Sequence, residues 1–397
     1  MAIRTEQIHL KYTETLSRAC HRAKNLYNEA NYVVRQWFFK TNEWIRYPTL
    51  NWLLKDVKQS PNYKNLPAQT AQQLLRLLDK NWKAFFRSIK DWKKTPSKYL
   101  GRPSLPRYRK KNGEFQLLFT NQQVRIKNGV LHLPKNLLAV RTRIAHKLKG
   151  ARILPQGQGY LLELLYEQPE TPLKPNQNRI ASIDLGLDSL ITLVNNIGEQ
   201  PIVINGKRLK AVNQFFNKRK AALQSSYDKL GVKSSKKQQK MFFKRKLQVK
   251  DYIHKGSRYA VNWCERHDID TLIVGYNPEW KQHINIGKKN NQNFVNIPFY
   301  SLIKQLEYKC QDAGIHFVLI AENYTSKCSF LDHEPIQKHK KYRGRRITRG
   351  LFQASTGTLI NADVNAAYNI LRKVVPNAFA EGIAGVGLHP KRIELFI

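Results

Sequence analysis

The sequence predicts an α+β protein of several domains, in which a small β-barrel with inserted helices is followed by an α/β domain. Short strand patterns with turn signals lie in 115–166, and long amphipathic helix patterns precede them. From residue 179 onward, buried strand patterns alternate with helix patterns. The chain has 397 residues, 41% of them hydrophobic, so it is long enough to form more than one core.

Charge indicates the class of partner. Lys and Arg total 69 against 28 acidic residues, which gives a formal net charge of +41, and the basic residues are interleaved with aromatic ones. Such an excess is typical of proteins that bind nucleic acid. No uninterrupted apolar run reaches membrane-spanning length and no signal peptide is evident at the start, so a membrane partner is not expected. We expect an intracellular protein, and its oligomeric state stays open.

The first half of the chain predicts a barrel with helices inserted in it. Ile3 to Tyr12 is expected to be the first strand, a long helix begins at about Thr15, and a second runs from Ala68 to Lys94. Apolar residues recur in that second helix at spacings of three and four, which favours helix packing over base stacking. Further strands are expected at Phe115 to Phe119, Gln123 to Ile126, Val130 to Leu133, Ala151 to Leu154 and Tyr160 to Tyr166. The predicted domains are a barrel of 1–13 and 100–172, a helical domain of 14–99 and a linker of 173–178.

Two aspartates stand out in the second half. Ile180, Ala181 and Ile183 lead to Asp184 at the end of a buried strand, and Gly186 then opens a turn. Asp363 lies at the N-cap or first turn of a helix that begins at about Val364. RNase H-type folds place their first metal-binding aspartate at such a strand end. The alternatives are a turn aspartate and a helix cap without chemistry.

Other elements of the second half follow from pattern. Two helices joined near Gly231 are expected between Lys207 and Arg258, with 17 basic residues and only two acidic ones. Their expected packing face consists of Phe215, Phe216, Leu223, Tyr227, Phe242, Phe243 and Leu247. After these come a strand at Asp270 to Tyr276, a helix at Asn296 to Gly314 and an apolar run at Phe317 to Ala321.

Three segments carry a family resemblance. ASIDLGL, YTSKCSF and DVNAAYNIL resemble the RuvC nuclease domain of TnpB, the transposon-encoded RNA-guided nucleases related to type V CRISPR effectors. The resemblance covers most of 178–397, and in 1–175 it is limited to layout and composition. It implies a wedge-like barrel, a helical recognition domain and a RuvC-like domain at 179–397, the last with a basic helical hairpin at 207–264 and a target-binding insert at 323–362. It also implies an RNA-guided DNA endonuclease of the prokaryotic cytosol, associated with the nucleoid.

The resemblance implies a catalytic and metal-binding triad of Asp184, Glu322 and Asp363. Most family members end the strand at 270–276 with a glutamate, but Gly275 stands at that place here. Glu322, at the end of the next apolar run, and Glu279, just past the strand, are the two candidate replacements. We favour Glu322, which would place this chain in a branch with a relocated glutamate.

Oxygen ligands of this kind favour two Mg²⁺ ions, with Mn²⁺ as a substitute. Zinc is not expected. The family's zinc ribbon uses two Cys pairs, whereas here Cys328 remains, Leu331 stands where its partner would be, and Leu351 to Gly357 contains no Cys. The four cysteines are widely spaced, so buried free thiols are expected.

The expected partners are a guide RNA from the transposon end and double-stranded target DNA. The segment DYIHKGSRYAVNWC resembles a family helix, which makes His254, Lys255, Ser257 and Arg258 candidate strand contacts. The basic run Lys338 to Arg349 adds further candidates, namely Arg343, Arg345 and Arg346.

Two rival functions stay open. Because Gly275 replaces a glutamate, the protein could be an RNA-guided DNA-binding protein that no longer cuts. A strand-transferring transposase is the second rival, since RNase H-type folds also join strands, but no catalytic Tyr or Ser motif is evident.

Overall fold

The protein forms two compact units, Met1–Pro169 and Glu170–Ile397. The computed structural model describes residues 1–232, 235–277, 291–292, 295–379 and 387–396. Both units combine helices and sheets, so the mixed, multidomain fold class is as predicted. None of the described helices is both long enough and apolar enough to cross a membrane.

The first unit contains a four-stranded antiparallel sheet in the order β1-β7-β6-β2 and a three-stranded sheet in the order β3-β4-β5. Its strands are β1 (Ala2–Lys11), β2 (Leu117–Thr120), β3 (Arg125–Lys127), β4 (Val130–His132), β5 (Ala139–Arg141), β6 (Leu148–Gln156) and β7 (Gly159–Gln168). β1 pairs with β7 along its whole length, from Ala2 opposite Gln168 to Lys11 opposite Gly159. The hydrogen-bonded ladder of this unit ends at β1 and β2, so closure into a barrel is not confirmed.

Four helices follow β1 in the first unit: α1 (Glu14–Thr41), α2 (Tyr47–Trp52), α3 (Pro61–Lys64) and α4 (Ala68–Lys94). A π-helical turn, Leu53–Val57, extends α2, and short 3-10 turns occur at Pro96–Lys98, Asn121–Gln123 and Pro134–Asn136. Trp82 of α4 is fully buried, and its indole N–H donates to Asn31 Oδ1 at 3.1 Å. The aromatic stripe of α4 therefore serves helix packing here, as its spacing predicts.

The second unit is organised by a six-stranded sheet in the order β12-β11-β8-β9-β10-β16. Its strands are β8 (Ile180–Asp184), β9 (Ser189–Asn195), β10 (Ile202–Asn205), β11 (Thr271–Gly275), β12 (His316–Ile320) and β16 (Lys391–Ile393). β8, β9 and β10 form an antiparallel meander, whereas β11 lies parallel to both β8 and β12. The carboxyl ends of β8, β11 and β12 therefore lie at one edge of the sheet.

The two faces of this sheet pack against different helices. Ile273 of β11 joins a core with α8 (Ala362–Val374), while its neighbours Leu272 and Val274 join a core with α6 (Lys236–Arg266) and α7 (Phe299–Asp312). Alternate residues of a strand point to opposite faces, so α8 covers one face and α6 and α7 cover the other.

The remaining elements are α5 (Lys207–Lys229), β13 (Arg345–Thr348), β14 (Leu351–Gln353) and β15 (Leu359–Asn361). The four cysteines are buried free thiols, as predicted.

Candidate metal-binding active site

Asp184 is the last residue of β8, at the sheet edge where the parallel strands end. The β8 run of Ile180, Ala181 and Ile183 is buried, which fixes the strand and leaves the carboxylate at its rim. Gly186 then lets the chain turn tightly, because a Cβ atom on it would lie 2.6 Å from the carbonyl oxygen of Ser189. Local sequence therefore presents Asp184 on a rigid strand end.

Glu322 lies two residues after β12, and its side chain reaches the end of β11. Gly275 pairs with Ile320 in the parallel register of β11 and β12. A Cβ atom built on Gly275 would lie 2.9 Å from Glu322 Oε2. Gly275 also neighbours Asp184, since the β8–β11 register aligns Val274 with Ile183. The Glu322 carboxylate thus lies beside Gly275. A glutamate at position 275 would start its own side chain at the same place.

Asp363 lies in the first turn of α8, and the helix cap is Asn361. Asn361 Oδ1 accepts the amide hydrogens of Asp363 and Val364 at 3.0 and 3.1 Å. The Asp363 carboxylate is therefore not needed as the cap, and it accepts from the Ser189 hydroxyl at 2.8 Å. The alternative of a helix cap without chemistry does not apply to Asp363.

The packing of α8 holds Asp363 close to Asp184. The buried Ser182 hydroxyl of β8 donates to the carbonyl oxygen of Ala367 in α8 at 2.7 Å. Ser182 stands two residues before Asp184, and Ala367 stands four residues after Asp363 on the same side of the helix. One buried hydrogen bond therefore ties the two segments together.

The pKa shifts of the carboxylates reflect both burial and the nearness of like charge. Burial, and then the charges of Glu322 and Asp363, raise the pKa of Asp184 well above its usual value. Burial raises the pKa of Glu322 to about 7, and Lys373 opposes that shift. Clustered, desolvated carboxylates raise one another's pKa unless a cation compensates their charge.

These residues fit a divalent cation by their donor chemistry. Glu322 Oε2 is a buried oxygen without a hydrogen-bond partner, and all three side chains offer hard oxygen ligands. Within the described residues, however, no three His, Cys, Asp or Glu side chains already lie close enough together to hold a metal ion. Asp363 is engaged by Ser189 and lies 3.6 Å from the guanidinium of Arg346. A bound cation would therefore require the three carboxylates to draw closer.

The other candidate residues differ in their surroundings. The alternative ligand Glu279 lies outside the described residues. Arg346 is beside Asp363, and Arg345 is exposed on β13. Arg343 is exposed, but its guanidinium donates to the carbonyl oxygen of Asp332 at 3.0 Å, within its own insert.

The α6 candidates are only partly suited to strand contacts. Ser257 is fully buried between α6 and α7, where its hydroxyl bonds to Gln305 and Lys309, so the expected strand contact does not suit it. The sequence pattern of α6 does not show which face of the helix packs against a neighbouring helix, and it therefore did not reveal that Ser257 is buried. Desolvation, and then the charge of Lys309, lower the pKa of His254 to about 4, so its ring is neutral at pH 7. Arg258 is exposed, and Lys255 pairs with Asp251 at 2.7 Å.

Sequence reasoning did not identify Ser189, Asn277 and Lys373 as neighbours of the site. Asn277 Oδ1 accepts from the amide of Glu322 at 3.1 Å, and the Lys373 ammonium donates to the carbonyl oxygen of Ala321 at 2.8 Å. These two bonds hold the two polar groups of one peptide unit, the one that joins Ala321 to Glu322, directly before the Glu322 Cα atom. Ser189 offered a local signal, since it lies in the same segment as Asp184, whereas Asn277 and Lys373 offered none.

The insert after β12 is held to α8 by two asparagines of the DVNAAYNIL segment. The side-chain amides of Asn365 and Asn369 both donate to the carbonyl oxygen of Cys328, at 2.9 and 2.8 Å. The Cys328 thiol faces the carbonyl oxygens of Pro335 and Gln337, and burial raises its pKa. In this arrangement the thiol donates hydrogen bonds to the two carbonyl oxygens.

A buried carboxylate organises the same insert. Glu334 is 1% exposed, and its two oxygens accept the amide hydrogens of Ser329 and Arg343 at 2.8 and 2.9 Å. Each oxygen therefore closes one loop of the insert. A side-chain carboxylate here performs the loop closure that a metal ion performs in a zinc ribbon.

We expect Glu334→Gln to destabilise the insert by about 1 to 2 kcal/mol, because an amide nitrogen cannot accept a backbone N–H bond. Amide hydrogen exchange of the segments around Ser329 and Arg343 measures the loss. Glu43→Gln, at an exposed position in the first unit, is the matched control. EDTA should leave the exchange of the wild-type insert unchanged. Stoichiometric zinc in the purified protein, with exchange that rises on chelation, would contradict this account.

The second unit thus combines a mixed sheet with a cluster of acidic residues where its parallel strands end. Known proteins with similar sequences indicate the family in which this arrangement occurs. The family OrfB_IS605, described as "Probable transposase", matches residues 163–281, and "Cas12f1-like, TNB domain" matches 299–370. The chain is similar to the TnpB proteins, as its motifs predicted.

Two curated relatives illustrate this kinship. "TnpB-like protein ORF457" of Acidianus two-tailed virus is 26% identical over 51% of this chain and 43% of its own length. The chain therefore matches less than half of that viral protein. "Putative RNA-guided DNA endonuclease InsQ" of Escherichia coli (strain K12) is 26% identical over 83% of this chain and 81% of its own length. Among solved structures, the mini-RNA-guided endonuclease CRISPR-Cas_phi3 aligns with a TM-score of 0.49 at 10% identity, covering 98% of this chain and 94% of its own.

Proposed function

We propose that this protein is an RNA-guided DNA endonuclease of a transposon, which hydrolyses phosphodiester bonds of double-stranded DNA beside a short flanking motif. The observation that carries the proposal is the meeting of Asp184, Glu322 and Asp363, from three separate segments, at one sheet edge. Two relatives support it, one named "Putative RNA-guided DNA endonuclease InsQ" and the other "CRISPR-associated endodeoxyribonuclease Cas12f1". The cytosol of a prokaryotic cell, next to the nucleoid, is where such a protein meets its DNA.

Asp184, Glu322 and Asp363 would hold two Mg²⁺ ions, with Mn²⁺ as a substitute. Such ions, when bound, activate water and stabilise the leaving oxygen of a phosphodiester. The chain itself positions the carboxylates on a strand end, a strand-following loop and a helix start. Arg346, 3.6 Å from Asp363, is placed to attract a phosphate toward them.

The remaining parts receive roles from the same proposal. The sheet of the first unit serves as a wedge-like domain and helices α1 to α4 as a recognition domain, which together hold the guide RNA. The insert at 323–362 and the hairpin of α5 and α6 contact the target DNA. A net charge of +41 suits a protein that holds a heteroduplex by its phosphate backbone.

The test is cleavage of a matched plasmid by the protein co-expressed with RNA from the flanking transposon end. We expect cutting in Mg²⁺, none in EDTA, and a loss of roughly 10²-fold or more in Asp184→Asn with guide-dependent DNA binding retained. Asp56→Asn, at a half-exposed position in the first unit, is the matched control. Full cutting by Asp184→Asn would overturn the proposed site.

A second candidate function is guided DNA binding without cleavage. The lack of a carboxylate at Gly275, and the absence of a ready-made three-ligand group among the described residues, favour it. Guide-dependent binding of the plasmid by wild-type protein, with no cutting in Mg²⁺ or Mn²⁺, would establish this alternative.

A further inference from the structure

Helices α5 and α6 leave an apolar groove open between them. The groove encloses about 600 Å³ and is lined by apolar side chains that include Phe215, Phe216, Leu223 and Met241. Phe215 is 63% exposed, so the expectation that it packs in the hairpin is wrong. Phe242 is 42% exposed but does pack across the hairpin, edge-on against Phe216 with 4.8 Å between the ring centres. The exposed Phe215 ring is continuous with the apolar lining of the groove, and a contiguous apolar surface of this kind indicates an interaction site.

Cations surround this groove. Arg219, Lys237, Lys240, Lys244 and Arg245 line it together with the apolar side chains. The Arg219 guanidinium lies 5.6 Å from the centre of the Phe215 ring, and that of Arg245 lies 5.1 Å from the centre of the Phe216 ring. The aromatic rings therefore already stack against positive charge.

This combination selects among possible occupants. A second copy of the chain would bring the same basic hairpin and repel the first. An apolar protein segment would fill the groove but leave its cations without counter-charge. A nucleotide meets both requirements, because its base is a flat apolar surface and its phosphate is an anion.

We propose that the groove binds an unpaired nucleotide of an RNA, with the base against Phe215 and the flanking phosphates against Lys240 and Lys244. Folded RNA displays unpaired bases in loops and bulges at no further cost, whereas duplex DNA keeps its bases stacked. The inference rests on the proposed function only in that the guide RNA would be the natural occupant. The groove is sequence-tolerant, since stacking on an aromatic ring accepts every base.

The experiment measures binding of a labelled oligo(U) strand to the full chain in EDTA, where cleavage cannot intervene. We expect Phe215→Ala to weaken binding about tenfold and Phe215→Trp to retain it. Phe396→Ala is the matched control, because Phe396 is also exposed and also carries an arginine, Arg208, 5.4 Å from its ring centre. Lys240→Ala should remove one phosphate contact. The slope of log K against the logarithm of the salt concentration should therefore become less negative by about 0.7.

Several results would overturn the proposal. One is equal binding of oligo(U) by the wild type and by Phe215→Ala. Another is a fully paired RNA duplex whose binding depends on Phe215 as strongly as that of oligo(U). If the binding of oligo(dT) depends on Phe215 to the same degree, the groove would be assigned to DNA. A dimer of the wild type that Phe215→Ala dissociates would assign it to a second copy. Because the readout is binding without metal, the result stands whether or not the wild-type protein cuts DNA.

Discussion

Glu322→Gln is expected to reduce guided DNA cleavage roughly 10²-fold or more while leaving the binding of RNA and DNA intact. The substitution keeps the size of the side chain but removes the charge that a divalent cation requires. Glu322 Oε2 is buried and has no hydrogen-bond partner, and the charge of Glu322 raises the pKa of Asp184. A buried carboxylate oxygen without a hydrogen-bond partner does not favour folding, which supports the functional role that we propose for Glu322.

A stability measurement separates this account from a structural role. If Glu322 serves only as a ligand, Tm of metal-free Glu322→Gln should equal or exceed that of the wild type, because one of several mutually repelling charges is gone. Divalent cations should raise Tm of the wild type but not of the variant. Glu279→Gln, the other candidate, should cut normally. Cutting lost in Glu279→Gln and retained in Glu322→Gln would transfer the role to Glu279.

Much of the fold followed from local pattern. The predicted helix from Ala68 to Lys94 has those bounds in the structure, since Pro67 stands at its N-cap and the apolar period continues to Trp92 in its last turn. The strand predicted at Asp270 to Tyr276 appears as Thr271–Gly275. Buried runs of β-branched residues and apolar residues at regular helical spacing can be predicted from local sequence, because backbone propensity and burial favour the same conformation there.

The details that position the candidate site depended on tertiary contacts. No local pattern shows that Glu322 reaches the end of β11, because that contact depends on the parallel register of two strands separated by a helix. The burial of Ser257 and the exposure of Phe215 likewise depend on where neighbouring helices lie. Sequence can place a carboxylate at a strand end, but the distance between two strand ends is a property of the sheet.

Gly275 offers the sharpest test of the relocated carboxylate. A Cβ atom on Gly275 would lie 2.5 Å from Ile370 Cδ1 and 2.9 Å from Glu322 Oε2. We expect Gly275→Ala to destabilise the protein by about 1 to 3 kcal/mol through overpacking against the buried Ile370. We also expect cleavage to fall by at least about tenfold, because a displaced catalytic group loses its alignment. Thermal unfolding and plasmid cleavage measure the two effects.

A double variant tells the two contacts apart. Ile370→Val removes the Cδ1 atom that the new methyl group would strike, so Gly275→Ala with Ile370→Val should recover much of the lost stability. It should not recover cleavage, because the methyl group would still crowd Glu322 Oε2. Gly101→Ala is the matched control, since a Cβ atom there would have nothing within 4 Å. If the double variant regains full cleavage, the activity loss came from Ile370 packing alone; if cleavage stays low after stability returns, Gly275 is glycine because the Glu322 carboxylate needs the space beside it.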